Sequence, residues 1–181
     1  MKLYIKLLIV LFLFTGNACD KENDLSPEEQ LPEATKTGAN TAGCLVDGEV
    51  LLPKGGSLNS GSMLKAQYIL NEGKYIFSLS LTDRTTGEFQ RTVQIESKNE
   101  SLKEGETYTL SELNEISTSA FYLLDAGFVD AFVTTNTIKG EFIFSRLDEE
   151  SAIISGEFWF DAVNEEGEIV EIREGRFDVR Y

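Results

Sequence analysis

Glu157, Trp159 and Asp161 stand two residues apart within Ile154-Ser155-Gly156-Glu157-Phe158-Trp159-Phe160-Asp161-Ala162-Val163-Asn164. On an extended strand that spacing puts all three on one face, with Phe158 and Phe160 on the other. Two carboxylates could hydrolyse a glycosidic bond if they faced each other about 5–10 Å apart across a cleft. A tryptophan between carboxylates could instead stack on a glycan or peptide while its neighbours hydrogen-bond the ligand's polar groups. Two plainer arrangements predict the same residues. Glu157, Asp161, Glu171 and Asp178 could be solvated charge outside a sheet, with Arg173, Arg176 and Arg180 as cross-strand partners. Trp159 could lie beneath a second sheet or a loop, as part of the core.

Much other chemistry is excluded by residue type. The chain has no histidine, which removes serine–histidine–acid and cysteine–histidine catalysis and histidine-ligated zinc. Cys44 lies in Gly43-Cys44-Leu45-Val46, without a histidine to form its thiolate, and reads as a small buried hydrophobe. Lys54-Gly55-Gly56-Ser57 has the wrong spacing for a phosphate loop and reads as a turn. Asn164-Glu165-Glu166-Gly167-Glu168 offers clustered oxygens that could attract calcium, but it lacks EF-hand spacing and is explained by a charged hairpin loop. No catalytic residue, metal or cofactor is therefore assigned. The formal net charge of −15 argues against nucleic acid as a partner, because phosphate binding rests on Lys and Arg.

The elements that must position these residues are strands. Tyr75, Phe77, Leu79 and Leu81 share one face of their run. Phe177, Val179 and Tyr181 share another, opposite Arg176, Asp178 and Arg180. The same alternation marks 89–95, 129–134, 142–147, 154–160 and 169–172, with shorter candidates at 49–52, 68–70, 108–110 and 121–124. Asn71-Glu72-Gly73, 148–151 and 164–167 read as hairpin loops between them. No stretch sustains helical spacing, although Leu110 to Ile116 could form a turn or two. This predicts an all-β domain over 44–181, an antiparallel β-sandwich or open β-barrel of about ten short strands. Thr37-Gly38-Ala39-Asn40-Thr41 suits an ordered turn sealing one end of the core, or a ligand loop.

The first residues read as a processing signal. Lys2 and Lys6 precede the apolar run Leu7 to Phe14, too short for the ~20 residues that span a bilayer. Thr15-Gly16-Asn17-Ala18-Cys19 then resembles the lipobox of bacterial lipoproteins, which implies cleavage after residue 18 and acylation, palmitate included, of Cys19. Read without the cysteine, the segment would be an ordinary secretion signal cut near Ala18. Asp20-Lys21-Glu22-Asn23-Asp24 resembles the acidic surface-export signal of Bacteroidota lipoproteins, although Asp20 also matches the inner-membrane retention signal of enteric bacteria. The polar stretch 19–43 is expected to be a lipid-anchored flexible stalk.

Two longer stretches, Leu31 to Gly48 (LPEATKTGANTAGCLVDG) and Ile154 to Asn164 with the closing Gly175-Arg176-Phe177-Asp178-Val179-Arg180-Tyr181, resemble a family of small Bacteroidota lipoproteins classed as a domain of unknown function. The resemblance implies a lipid and a location, the outer membrane with the domain facing the cell surface, and no catalytic residue. The expectation is a non-enzymatic binding or accessory module of the envelope, tethered by Cys19, with Trp159, Glu157 and Asp161 as candidate binding residues for a glycan or protein partner. A structural envelope lipoprotein without a ligand site is the alternative, and a carboxylate glycosidase a distant third.

Overall fold

Alternation of apolar and polar residues drives the chain into strands that hide one face, and the computed structural model describes the result for residues 25–56, 61–85, 89–99, 102–114 and 117–181. Among the described residues eleven strands follow in order: β1 (Thr41–Val46), β2 (Glu49–Leu51), β3 (Leu64–Asn71), β4 (Lys74–Asp83), β5 (Gln90–Asn99), β6 (Thr107–Leu110), β7 (Thr118–Asp125), β8 (Val129–Val133), β9 (Gly140–Asp148), β10 (Ile153–Val163) and β11 (Ile169–Arg180). Every strand pairing is antiparallel, and the main path runs β2-β1-β11-β10-β8-β7-β5-β4-β3. The fold is an open, curled antiparallel sheet, a half-barrel.

Strand β10 is where the sheet divides. Ile153 to Phe160 pair with β9, which carries β6 on its far side, while Val163 pairs with Val133 of β8. The curl brings β4 against β9 and β11. Phe77 stacks on Phe142 with ring centroids 5.6 Å apart and meets Phe144 edge-on at 4.9 Å. Phe177 lies 6.0 Å from the same ring. Such contacts fill the concave side with side chains rather than leaving a channel. A parallel bridge between Lys54 and Asp83 ties the chain after β2 to β4, so the residues expected to form a turn there help to hold the curl.

The expected buried faces are in place. Phe77, Leu79, Leu81, Phe158, Phe160, Phe177 and Val179 are buried, and Tyr181 is half-buried against the core. Asn71 pairs with Lys74 across the two-residue turn Glu72-Gly73, whose φ values of 51° and 80° suit a hairpin. Two aromatic rings lie across glycines. Gly156 pairs with Phe177 and Gly175 with Phe158, and a Cβ on Gly175 would stand 2.4 Å from the Phe158 ring.

Three expectations need correction. The boundary at residue 44 cuts through β1, whose Ala42, Cys44 and Val46 face the core, and packing reaches back to the buried Leu31. Residues 31–43 are therefore part of the domain and not of a flexible stalk. Ser111 to Asn114 form no helical turn, and Glu115 and Ile116 lie outside the described residues. Asp178, expected on a solvated face, is buried.

Candidate functional site

The pairing of β9, β10 and β11 decides what surrounds Trp159. Glu141 of β9 stands directly opposite it, and Ile143 stands opposite Glu157. On the other side the register steps. Phe158 pairs with Gly175 and Phe160 with Ile172, so Arg173 and Glu174 together face Trp159 alone. This is a β-bulge, with Glu174 held at φ 52°, and it turns two charged side chains toward one indole.

Arg173 is fixed from several directions. It donates to Asp161 Oδ1 at 2.6 Å and to the carbonyls of Phe160 and Ile172 at 3.1 and 2.9 Å, and it lies 3.4 Å from Glu171. Its guanidinium carbon sits 5.7 Å from the centroid of Trp159, a cation–π contact. The indole itself is 41% exposed, so neither a second sheet nor a loop covers it. Arg176, although paired in register with Glu157, bonds instead to Glu174, at 3.3 Å.

The remaining wall comes from the residues before β1. Leu31 and Pro32 lie over Gly43 of β1, where a Cβ would stand 3.2 and 3.1 Å from their side chains and 2.7 Å from Leu52. Beyond them the strap 35–39 wraps the carboxylate of Asp178. Thr35 Oγ1 donates at 2.6 Å, the Thr37, Gly38 and Ala39 amides at 2.9, 2.7 and 3.1 Å, and Ser155 Oγ at 2.7 Å. Burial alone would raise the pKa of Asp178. Hydrogen bonds from Thr35, Ser155, Ala39 and Thr37 outweigh it and hold the carboxyl well below the usual range. Gly38 enters this turn at φ 73°, beside Arg180. With the strap docked, Glu28 and Ala34 close one side of an open groove of about 450 Å³ that has Trp159, Glu141, Glu157 and Arg173 in its lining.

The structure thus gathers Trp159 and Glu157 in one groove and keeps Asp161 at its edge, spent on Arg173. Glu157 and Asp161 do not form a hydrolytic pair, since four residues of strand separate them by ~13 Å, beyond the ~5–10 Å such a pair needs. Cys44 faces the core, fully buried, and burial pushes its thiol up to about 12. In the 164–168 loop, Asn164 donates to Glu168 at 3.1 Å and accepts from its amide at 2.8 Å. Among the described residues no group of three acidic or cysteine side chains converges on a metal position. Glu141, Glu174 and Glu28 were not among the residues singled out by sequence; only pairing register and the folding back of the strap bring them to Trp159.

Cys19, the position expected to carry the acyl chains, lies outside the described residues. Among those residues no helix is long and apolar enough to cross a membrane, which says nothing about attachment by lipid. Compared with family models, with curated proteins and with solved structures, the chain matches none.

Proposed function

We propose that the mature protein is a non-enzymatic binding module of the cell envelope, lipid-anchored through Cys19 at the outer membrane and facing the cell surface. Its ligand, a glycan or a peptide, would lie in the groove over Trp159. The observation that carries this reading is the exposed indole, set between Glu141, Glu157 and Glu174 and stiffened from one side by Arg173. A tryptophan exposed among polar groups offers a flat apolar face beside hydrogen-bonding neighbours, a combination enriched where proteins meet their partners. A groove of about 450 Å³ falls in the size range of ligand sites.

The tether supports the same reading. Leu31 is the first buried residue among those described, and eleven positions lie between it and Cys19. Fully extended they reach ~40 Å, so the groove would stay close to the surface that bears the lipid. One further feature favours a role as accessory subunit. Val133, Val163 and Ile169 adjoin on the outer face of β8, β10 and β11, and Phe128, Val129 and Ile169 are exposed, as in a surface that meets another protein.

Two experiments test the proposal. Cys19→Ser should release the protein from membranes, and continued firm attachment would refute the lipid anchor. Purified protein probed with glycan and peptide arrays should retain a ligand, recovered chemically intact, and lose it on Trp159→Ala. Equal retention by that variant would remove the groove from the account, and recovery of cleaved ligand would make the protein an enzyme.

A further inference from the structure

From the hydrogen-bonding character of the groove we infer the class of its ligand: a peptide segment presenting lysine or arginine side chains. This deepens the binding-module reading and rests on it. Four carboxylates, Glu28, Glu141, Glu157 and Glu174, and two guanidiniums, Arg173 and Arg176, line the groove. The guanidiniums are committed. Arg173 is held by Asp161, Glu171 and two carbonyls, and Arg176 by the side chain and carbonyl of Glu174. Among the described residues, Glu28, Glu141 and Glu157 enter no ion pair. A ligand entering here meets acceptors in excess and few free donors.

That imbalance discriminates between ligands. A sugar hydroxyl both donates and accepts, and recognition of a neutral glycan needs protein donors as well as acceptors. Ammonium and guanidinium groups only donate, so they match a lining of free carboxylates. Anionic glycans are disfavoured by those carboxylates and by the net charge of −15. The indole adds a second, independent match. Its π face attracts cations, as the chain's own Arg173 shows at 5.7 Å, and a cation from the ligand can use the exposed remainder of the ring. A basic side chain over Trp159 would reach Glu141, directly across β9, and Glu157, two residues back on the same face of β10.

The test compares capped Gly-Arg-Gly-Arg-Gly with the same peptide carrying citrulline, which keeps the shape of arginine and loses its charge. The neutral tetramer of N-acetylglucosamine serves as the glycan probe. Titrations use the full lipidated protein in detergent at physiological salt. The arginine peptide should bind about 10-fold more tightly than the citrulline peptide, since charge-assisted and cation–π contacts are both lost in the latter. E141Q/E157Q and Trp159→Leu should each weaken it by about 10-fold, whereas E165Q/E166Q, on the β10–β11 loop, should leave it within about twofold. Equal affinity for the two peptides, or equal weakening by the loop variant, overturns the inference, the latter by showing general charge attraction. Preference for the neutral glycan, lost on Trp159→Leu, overturns it while leaving the binding module intact. Failure of all three probes to bind overturns the inference and weighs against the module itself.

Discussion

Replacing Asp178 by asparagine should loosen the strap at 35–39 while leaving the rest of the sheet folded. The carboxylate accepts six hydrogen bonds, from Thr35, Thr37 (amide and hydroxyl), Gly38, Ala39 and Ser155. Asparagine keeps the shape but turns one oxygen into a donor facing other donors. With the strap held in place, each deprived amide would cost ~1–3 kcal/mol: those of Thr37 and Ala39 if the new NH2 stands at Oδ2, that of Gly38 if it stands at Oδ1. Peeling the strap away lets water satisfy them, so the variant should take that course and give up the charge-assisted hydrogen bonds, which contribute ~1.5–3 kcal/mol each before water replaces them. The expected loss is about 3 kcal/mol, measured by urea denaturation at neutral pH. Hydrogen exchange should accelerate at the amides of residues 37–39, and trypsin should begin to cut after Lys36.

The same site predicts a pH dependence of definite sign. The folded-state pKa of Asp178 lies below its ordinary value of 3.8, so the clamp contributes fully above that value. Its contribution is lost as pH falls from there toward the folded value. Wild type should therefore lose its advantage over Asp178→Asn progressively below about pH 4, and the difference between the two curves isolates Asp178 from the other carboxylates. A variant within about 0.5 kcal/mol of wild type at neutral pH, with unchanged exchange at 37–39, would refute the clamp.

Three further outcomes follow from burial and close packing. Gly156→Ala would place a Cβ 2.3 Å from the Ile143 carbonyl and 2.7 Å from the Phe177 ring, and should lower stability by about 3 kcal/mol in a denaturant titration; a neutral result would show the β9–β10–β11 packing to be looser than described. Arg91 lies 3.0 Å from the buried Asp83, which also accepts from the Thr85 amide and hydroxyl, so Arg91→Met should cost about 1–3 kcal/mol, and adding Asp83→Asn should recover part of it; no recovery would mean the pair is not coupled. The Cys44 thiol, buried and pushed up to about 12, should react with an aromatic disulfide reagent only as fast as the protein unfolds, and rapid labelling of native protein would contradict its place in the core.

Most of the sheet was legible because its inward positions are large and its turns carry their own chemistry. Phe158, Phe160, Phe177 and Val179 alternate with polar neighbours, and Glu72-Gly73 declares a hairpin. Strand β1 was not legible, since Ala42 and Cys44 are small and Gly43 breaks the contrast, although Ala42, Cys44 and Val46 obey the same rhythm. Asp178 misled for a related reason. It alternates correctly to the outer side of β11, but alternation cannot tell that a remote segment will cover that side. The groove was half legible. Trp159 and Glu157 follow from period two, whereas Glu141 depends on a register step. Ser155 pairs with Arg146 and Gly156 with Phe144, so Ser145 is an extra residue. Without it, counting back from the β9–β10 turn would set Phe142 opposite Trp159.

The strap makes the groove depend on the residues that precede β1. Glu28 and Ala34 line the groove only while residues 31–39 are docked, and docking is secured by Asp178, three residues from the C-terminal end. Ligand affinity and strap docking are then linked. If the groove is competent only with the strap in place, apparent affinity scales with the docked fraction, and bound ligand protects the strap. In wild type the clamp keeps that fraction near unity, so the effect is silent. In Asp178→Asn it becomes measurable: ligand should slow exchange at residues 37–39 although those amides touch Asp178 and not the groove. Protection confined to residues near Trp159 would mean that the wall formed by Glu28 and Ala34 is not needed for binding, and that the strap serves only to seal β1 and β11.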